Sequence, residues 1–264
     1  MEKIRKLRKV LEEKKVDGYI IPKNDEFFGE YISENKDRLK YITNFTGSYG
    51  FALILNKKNY LFVDGRYTLQ AHHQSGNYFK IKTIPKELPK EILKNKIFKI
   101  GFDPTLFTKK TLNTFFKKTN CKFIPLNHNL IDNIWVRSNS NTNDKFYVMP
   151  NYSVGLTCGQ KTNRVVSEIA KNGADIQFIT ASENNAWLLN IRGKDSKYTP
   201  IPHSYILIDR KKNINFFCDL NKISTSFKKN FKLIKFIDIK LTGSFLSKLK
   251  NKKIVIDNNT CSIH

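Results

Sequence analysis

The chain has 264 residues, a hydrophobic fraction of 40%, and 47 basic against 23 acidic side chains, a formal charge of +24. With 20 Phe and 11 Tyr it has the core material for one large domain or two ordinary ones, which excludes a disordered tail. No run approaches the roughly 18 to 20 uncharged apolar residues that span a bilayer, and the start MEKIRKLRKVLEEKKV has neither a signal peptide's apolar region nor a transit peptide's lack of acids.

The first helix is expected where Ile4, Leu7, Val10 and Leu11 recur at helical spacing, with Asp17-Gly18 ending it. Tyr19-Ile20-Ile21 reads as a buried strand stopped by Pro22, and Phe27 to Ile32 as a loop or a half-buried helix. Phe51 to Leu55 and Tyr60 to Val63, joined by the polar corner Asn56 to Asn59, read as a β-hairpin. Asp64 then caps a helix over Tyr67 to Gln74, with Gly65 permitting the sharp exit. Phe79 to Ile84 alternates as a half-exposed strand, and Glu87 to Asn95 reads as a short helix. A strand over Lys99 to Asp103, a helix from Thr108 through Lys118, a strand over Cys121 to Pro125 and a short helix over Asn129 to Trp135 follow.

Residues 137 to 150 are read as a linker, because 137 to 147 are polar almost throughout. They separate a domain over 1–136 from a second over 151–264, for which it stays open whether the final elements are included. The second half repeats the grammar of the first: a helix over Arg164 to Lys171 ended by Gly173, a strand over Ile176 to Thr180, and a helix capped by Ser182. A hairpin of Tyr205 to Ile208 with Ile214 to Asp219, a strand over Lys232 to Phe236, a helix over Leu241 to Lys250 and a strand over Lys253 to Asp257 complete it. Both halves carry Asn-x-x-Gly, at Asn44 and Asn190, and a hairpin ending in aspartate, Asp64 and Asp219. That order points to duplication, and to an α/β fold of two similar domains, each a mixed sheet flanked by helices.

The four cysteines, Cys121, Cys158, Cys218 and Cys261, form no Cys-x-x-Cys pair, which fits free thiols in a reducing compartment. Cys158 lacks an evident helix N-terminus or His partner and reads as inert. The net charge attracts polyanions. The lysines are spread along the chain and no nucleic-acid-binding signature is present, so a compositional bias toward Lys, Asn and Ile accounts for them, with a basic nucleic-acid-binding protein as an alternative.

The runs GYIIPKND (18–25), GEYI (29–32), DGRY with LQA (64–71), IPLNHNLIDNIW (124–135) and AWLLNIRG (186–193) resemble, in order, the long three-domain Xaa-Pro aminopeptidase, a relative of aminopeptidase P and creatinase. The resemblance implies two creatinase-N-like domains, which in that family precede a pita-bread catalytic domain. There a dinuclear metal site, commonly manganese, is held by two Asp, one His and two Glu. None of those five ligands has a counterpart here, so no cofactor or metal ligand is expected in this chain. The expectation is a truncated or split Xaa-Pro aminopeptidase, inactive alone, in the cytoplasm; the alternative is a module that complements a separately encoded catalytic chain. The only site residues the resemblance carries over are Glu30 and Arg66, facing substrate when a catalytic domain is present. The strand-ending aspartates Asp64, Asp103, Asp219 and Asp257 are expected to cap turns, and His72 and His73, adjacent in sequence, to diverge.

Overall fold

A computed structural model describes residues 1–137 and 144–264. The chain divides into two compact units: Met1–Glu26 with Ile32–Asn139 and Ser262–His264, and Phe27–Tyr31 with Ser140–Cys261. Residues 138–143 of the expected linker lie outside the described residues; further along it, Tyr147 and Val148 form a short strand.

The first unit runs α1 (Glu2–Glu13), β1 (Gly18–Pro22), α2 (Arg38–Thr43), β2 (Gly50–Leu55), β3 (Asn59–Asp64), α3 (Thr68–Ser75), β4 (Lys80–Ile84), α4 (Pro89–Ile92), β5 (Lys99–Phe102), α5 (Lys109–Phe116) and β6 (Lys122–Pro125). Its six-stranded sheet has the order β4-β3-β2-β1-β5-β6. The β1–β2 and β2–β3 pairs are antiparallel, and β3–β4, β1–β5 and β5–β6 are parallel. The central strands are apolar on both faces, as a sheet covered on both sides requires. Tyr19, Ile21, Ala52, Ile54, Leu61 and Val63 face α1, α2 and α3, while Ile20, Phe51, Leu53 and Phe62 face Phe115 and Phe116 of α5. Burying Ile4, Leu7 and Leu11 of α1 contributes about 1.5–3 kcal/mol per side chain.

The second unit runs β7 (Tyr147–Val148), α6 (Cys158–Lys171), β8 (Ile176–Ile179), α7 (Ser182–Leu189), β9 (Ile191–Arg192), β10 (Ser204–Asp209), β11 (Ile214–Cys218), α8 (Thr225–Lys229), β12 (Ile234–Asp238), α9 (Thr242–Leu246) and β13 (Ile254–Val255). Its main sheet has the order β12-β11-β10-β8-β13, and β7 pairs with β9 in a small ribbon. The pairings match those of the first sheet. Antiparallel β8–β10 and β10–β11 correspond to β1–β2 and β2–β3, and parallel β11–β12 and β8–β13 correspond to β3–β4 and β1–β5.

The repeated sequence elements turn out to be structural devices. Asn44 and Asn190 both end a helix in the left-handed conformation, at φ of 66° and 55°, which asparagine tolerates better than most residues. Asp17 and Asp175, each just before a central strand, accept the amides of Lys99 and Lys253 at 2.7 and 2.9 Å and so fix where the parallel strand begins.

Several local expectations need correction. It is Lys15, at φ 54°, that takes the left-handed turn after α1. Gly18 lies inside β1, where a Cβ would meet Leu55 Cδ2 at 2.6 Å and the Ile54 carbonyl at 2.8 Å. Asn129 to Trp135 forms turns rather than a helix, because Asn129 holds the Ile131 amide and the Asp103 carboxylate with its own side chain. Helix α6 starts at Cys158, well before Arg164, on a reciprocal cap between Thr157 and Gln160. Ser182 opens α7 without capping it, and the Ser204 amide reaches its hydroxyl instead.

Candidate functional site

The hairpin β2–β3 sets a polar, aromatic corner at the end where β2 begins and β3 stops. Close packing fixes that end: a Cβ on Gly50 would stand 2.6 Å from the Phe62 carbonyl, whereas one on Gly65 meets only Thr83 Cγ2 at 3.8 Å, so Gly65 is not sterically required. Asp64 Oδ1 accepts both the Arg66 amide and Arg66 Nε at 2.9 Å. The hydrogen bond from Arg66 holds the Asp64 carboxyl below its ordinary range, and the same bond raises the guanidinium. Arg66 is 73% exposed, and its guanidinium lies 5.4 Å from the Tyr67 ring centre. Tyr67 Oη and Ser48 Oγ are 2.7 Å apart. Tyr49 is half-exposed, and burial followed by the Asp64 charge pushes its phenol up. Behind this corner Gln70 and Gln74 both donate to Thr46 Oγ1, at 2.8 and 3.0 Å.

Arg66 therefore spends part of its fork on Asp64 and keeps outward N–H groups for an anion. Glu30 belongs to the second compact unit, where it is exposed beside Tyr31. That segment is held by rings: Phe27 stacks on His203 at 4.1 Å and Tyr31 meets Tyr198 edge-on at 5.1 Å. The two residues carried over by resemblance thus have separate settings, Arg66 beside Asp64 and Glu30 between two aromatic anchors. The corner offers hydroxyls, an arginine and the Asp64 carboxylate for binding.

The capping role expected for the strand-ending aspartates is found at all four. Asp64, Asp103, Asp219 and Asp257 accept the amides of Arg66, Thr105, Asn221 and Asn259 at 2.8 to 3.0 Å. Among the described residues no three His, Cys, Asp or Glu side chains converge as metal ligands would. Cys158 does open a helix, contrary to expectation, and burial raises its thiol.

Sequence reasoning missed the most concentrated charge in the first unit. At the start of α2, Arg38 binds Asp132 through two bonds of 2.8 and 2.9 Å and Glu26 through a third of 2.8 Å. Lys36 reaches the other Glu26 oxygen at 2.8 Å, and Arg137 pairs with Asp132. Beside them Lys23 and Asp37 form a buried pair, and Asp37 caps α2 by accepting the Lys40 amide. Burial pushes the Glu26 carboxyl up, but Lys36 and Arg38 outweigh it and bring the group down to about 2. Burial likewise lowers Arg38, yet Asp132 and Glu26 leave it raised. The sequence signal was Asp132 inside NLIDNIW; its partner lies 94 residues away. The corresponding helix α7 uses neutral bonds instead, with Asn185 donating to the Ser204 carbonyl at 2.7 Å.

Two copies of one sheet topology, the aspartate clamps and the asparagine helix ends define a duplicated α/β scaffold. Residues 3–134 and 137–264 each match the Creatinase/Prolidase N-terminal domain, and the chain belongs to that family. Among curated proteins it is 32% identical over 213 residues to "Probable Xaa-Pro aminopeptidase P" of Coprinopsis cinerea, covering 76% of this chain and 34% of the relative. It is 27% identical over 252 residues to "Xaa-Pro aminopeptidase app-1" of Caenorhabditis elegans, covering 88% and 40%. The crystal structure of the X-prolyl aminopeptidase from Caenorhabditis elegans, described as a cytosolic enzyme with a di-nuclear active site, superposes with a TM-score of 0.87 at 25% identity. That match covers 93% of this chain and 43% of the other. The chain thus spans well under half the length of these relatives. No described helix is long and apolar enough to cross a membrane.

Proposed function

We propose that residues 1–264 act as the non-catalytic, substrate-side part of an Xaa-Pro aminopeptidase in the cytoplasm and cleave no peptide until a metal-bearing catalytic part joins them. The observation that carries this reading is the likeness, over 93% of the chain, to 43% of an enzyme described as having a di-nuclear active site. The described residues show no ligand cluster of their own. In the joined form, Arg66, oriented by Asp64, presents its outward N–H groups to a peptide, and the exposed Glu30 carboxylate meets a free α-amine. Neither group removes a proton from water. When bound in the catalytic part, the metal pair, commonly manganese in the complete family enzyme, would supply the activated water.

The test is direct. Purified residues 1–264 with manganese and an Xaa-Pro peptide release no amino acid in our reading; mixed with a catalytic domain from the Caenorhabditis elegans relative, they restore proline-dependent release. Release by this chain alone overturns the proposal, and so does a mixture no faster than the catalytic domain by itself. Nucleic acid binds only through the net charge of +24, without sequence preference and with steep loss in salt.

A further inference from the structure

At the turn end of the β2–β3 hairpin, opposite the end that carries Arg66, the first unit has an open groove of about 550 Å³. Glu2, Ile4, Arg5 and Arg8 of α1 line one side, and Asn59 and Tyr78 the other. Arg8 joins the two sides. Its Nε donates to the Leu55 carbonyl at 3.2 Å and its Nη2 to Asn59 Oδ1 at 2.9 Å. Asn59 Nδ2 in turn donates to the Tyr78 carbonyl at 2.9 Å. Side-chain bonds among three pieces of chain thus hold the groove, and Arg8 is aimed before any ligand arrives.

The charge in this groove is unbalanced. Both partners of Arg8 are neutral oxygens, and its Nη1 has no partner among the described residues. Burial pulls its guanidinium below the ordinary range, with no carboxylate to offset it. Arg5, one turn back on the same helical face, is exposed. Among the described residues Glu2 is the only acid on the wall; Lys6 engages it at 2.9 Å, and it feels Arg5 least of its neighbours. Lys57 and Lys58, exposed on the hairpin turn, add to the same field. Composition does not explain the pair of guanidiniums: the chain's bias is toward lysine, and two of its few arginines line this groove.

We propose that the groove binds a nucleoside monophosphate, a flat ring joined to a phosphate dianion. Two guanidiniums, with the nearby acid already engaged, call for a dianion rather than a single carboxylate. The outer N–H groups of Arg8 form a fork that matches two phosphate oxygens. Tyr78, half-exposed on the opposite side, offers a ring on which a base stacks. The volume falls within the roughly 300–1,000 Å³ of small-molecule sites. All of these residues lie in the first unit, and the inference does not rest on the peptidase reading.

The probe is adenosine 5′-monophosphate, titrated by calorimetry into the full chain at physiological salt. Saturable binding at a single site is expected. Arg5→Gln and Arg8→Gln each weaken it by about tenfold or more, and Tyr78→Ala by about fivefold or more. Lys14→Gln, which removes the same charge just past the far end of α1, changes it by less than about twofold. The exposed Arg5 serves if Arg8→Gln, which loses the tie to the hairpin, does not fold. Inorganic phosphate alone and adenosine alone each bind at least about tenfold more weakly than the monophosphate. Any of four results overturns the proposal. The first is no binding of the monophosphate. The second is equal weakening by Lys14→Gln, which would mean diffuse charge. The third is inorganic phosphate binding as tightly, which would leave the ring without a role. The fourth is tighter binding of a 5′-phosphorylated dinucleotide, which would make a nucleic-acid end the occupant.

Discussion

Replacing Glu26 by glutamine removes one of the two carboxylates that hold Arg38 while keeping the side chain's shape. A carboxyl whose pKa falls from 4.5 to about 2 on folding contributes about 3 kcal/mol at neutral pH. Its side chain is 27% exposed, so screening by solvent trims this to about 2–3 kcal/mol. The folded pKa is depressed, so the contribution is complete above the unfolded value and disappears as pH falls through the folded one. The difference between native and Glu26→Gln chains should therefore be about 2–3 kcal/mol at pH 7, about 1.4 at pH 3 and under about 0.5 at pH 2. Urea unfolding read by Trp135, in a Trp187→Phe background so that only the first unit reports, measures it. A difference that stays constant from pH 7 to pH 2 would mean that glutamine disturbs packing rather than charge, and would refute the argument.

The remaining expectations concern backbone and surface. Gly50→Ala should destabilise the first unit by about 2 kcal/mol or more, because its Cβ meets the Phe62 carbonyl at 2.6 Å; Gly65→Ala should be near neutral in the same melt. Asn190→Ala should cost more than Asn44→Ala, about 2–4 against about 1 kcal/mol by denaturant midpoint. Besides its left-handed backbone, Asn190 accepts Lys161 Nζ at 2.5 Å and donates to the Leu156 carbonyl at 2.9 Å. Arg66→Ala should leave stability within about 0.5 kcal/mol and lower the rate of Xaa-Pro cleavage in the joined enzyme described above; an unchanged rate would remove Arg66 from the substrate face. Manganese added to the chain and dialysed away should leave no retained metal by elemental analysis.

The hairpins were plain in the sequence because the code there is local. Phe51 to Leu55 and Tyr60 to Val63 are short apolar runs around a polar corner, and Asp64 and Asp219 cap amides two residues away. The duplication was visible for the same reason, since Asn44 and Asn190 sit at equivalent places in short repeated phrases. Thr157 and Gln160 also announce a helix start at the right spacing, a signal that was present and overlooked. The Glu26–Arg38–Asp132 cluster was not readable, since its members come from three places in the chain and only folding makes one site of them. Asn129 to Trp135 misled for a related reason: its apolar spacing suits a helix, but the Asn129 side chain competes for the backbone and wins.

The clamp that Asp17 and Asp175 each provide reaches across 82 and 78 positions of chain. The hairpin partners β2–β3 and β10–β11 are aligned by the short corner between them, but a parallel neighbour arrives after a long detour with nothing local to say where it should stop. A single carboxylate that grips one amide supplies that missing ruler, since sliding the strand by one position would both break the grip and turn its apolar side chains to the wrong face. Shortening either aspartate to serine should therefore blur the alignment of the incoming strand before it loosens anything else.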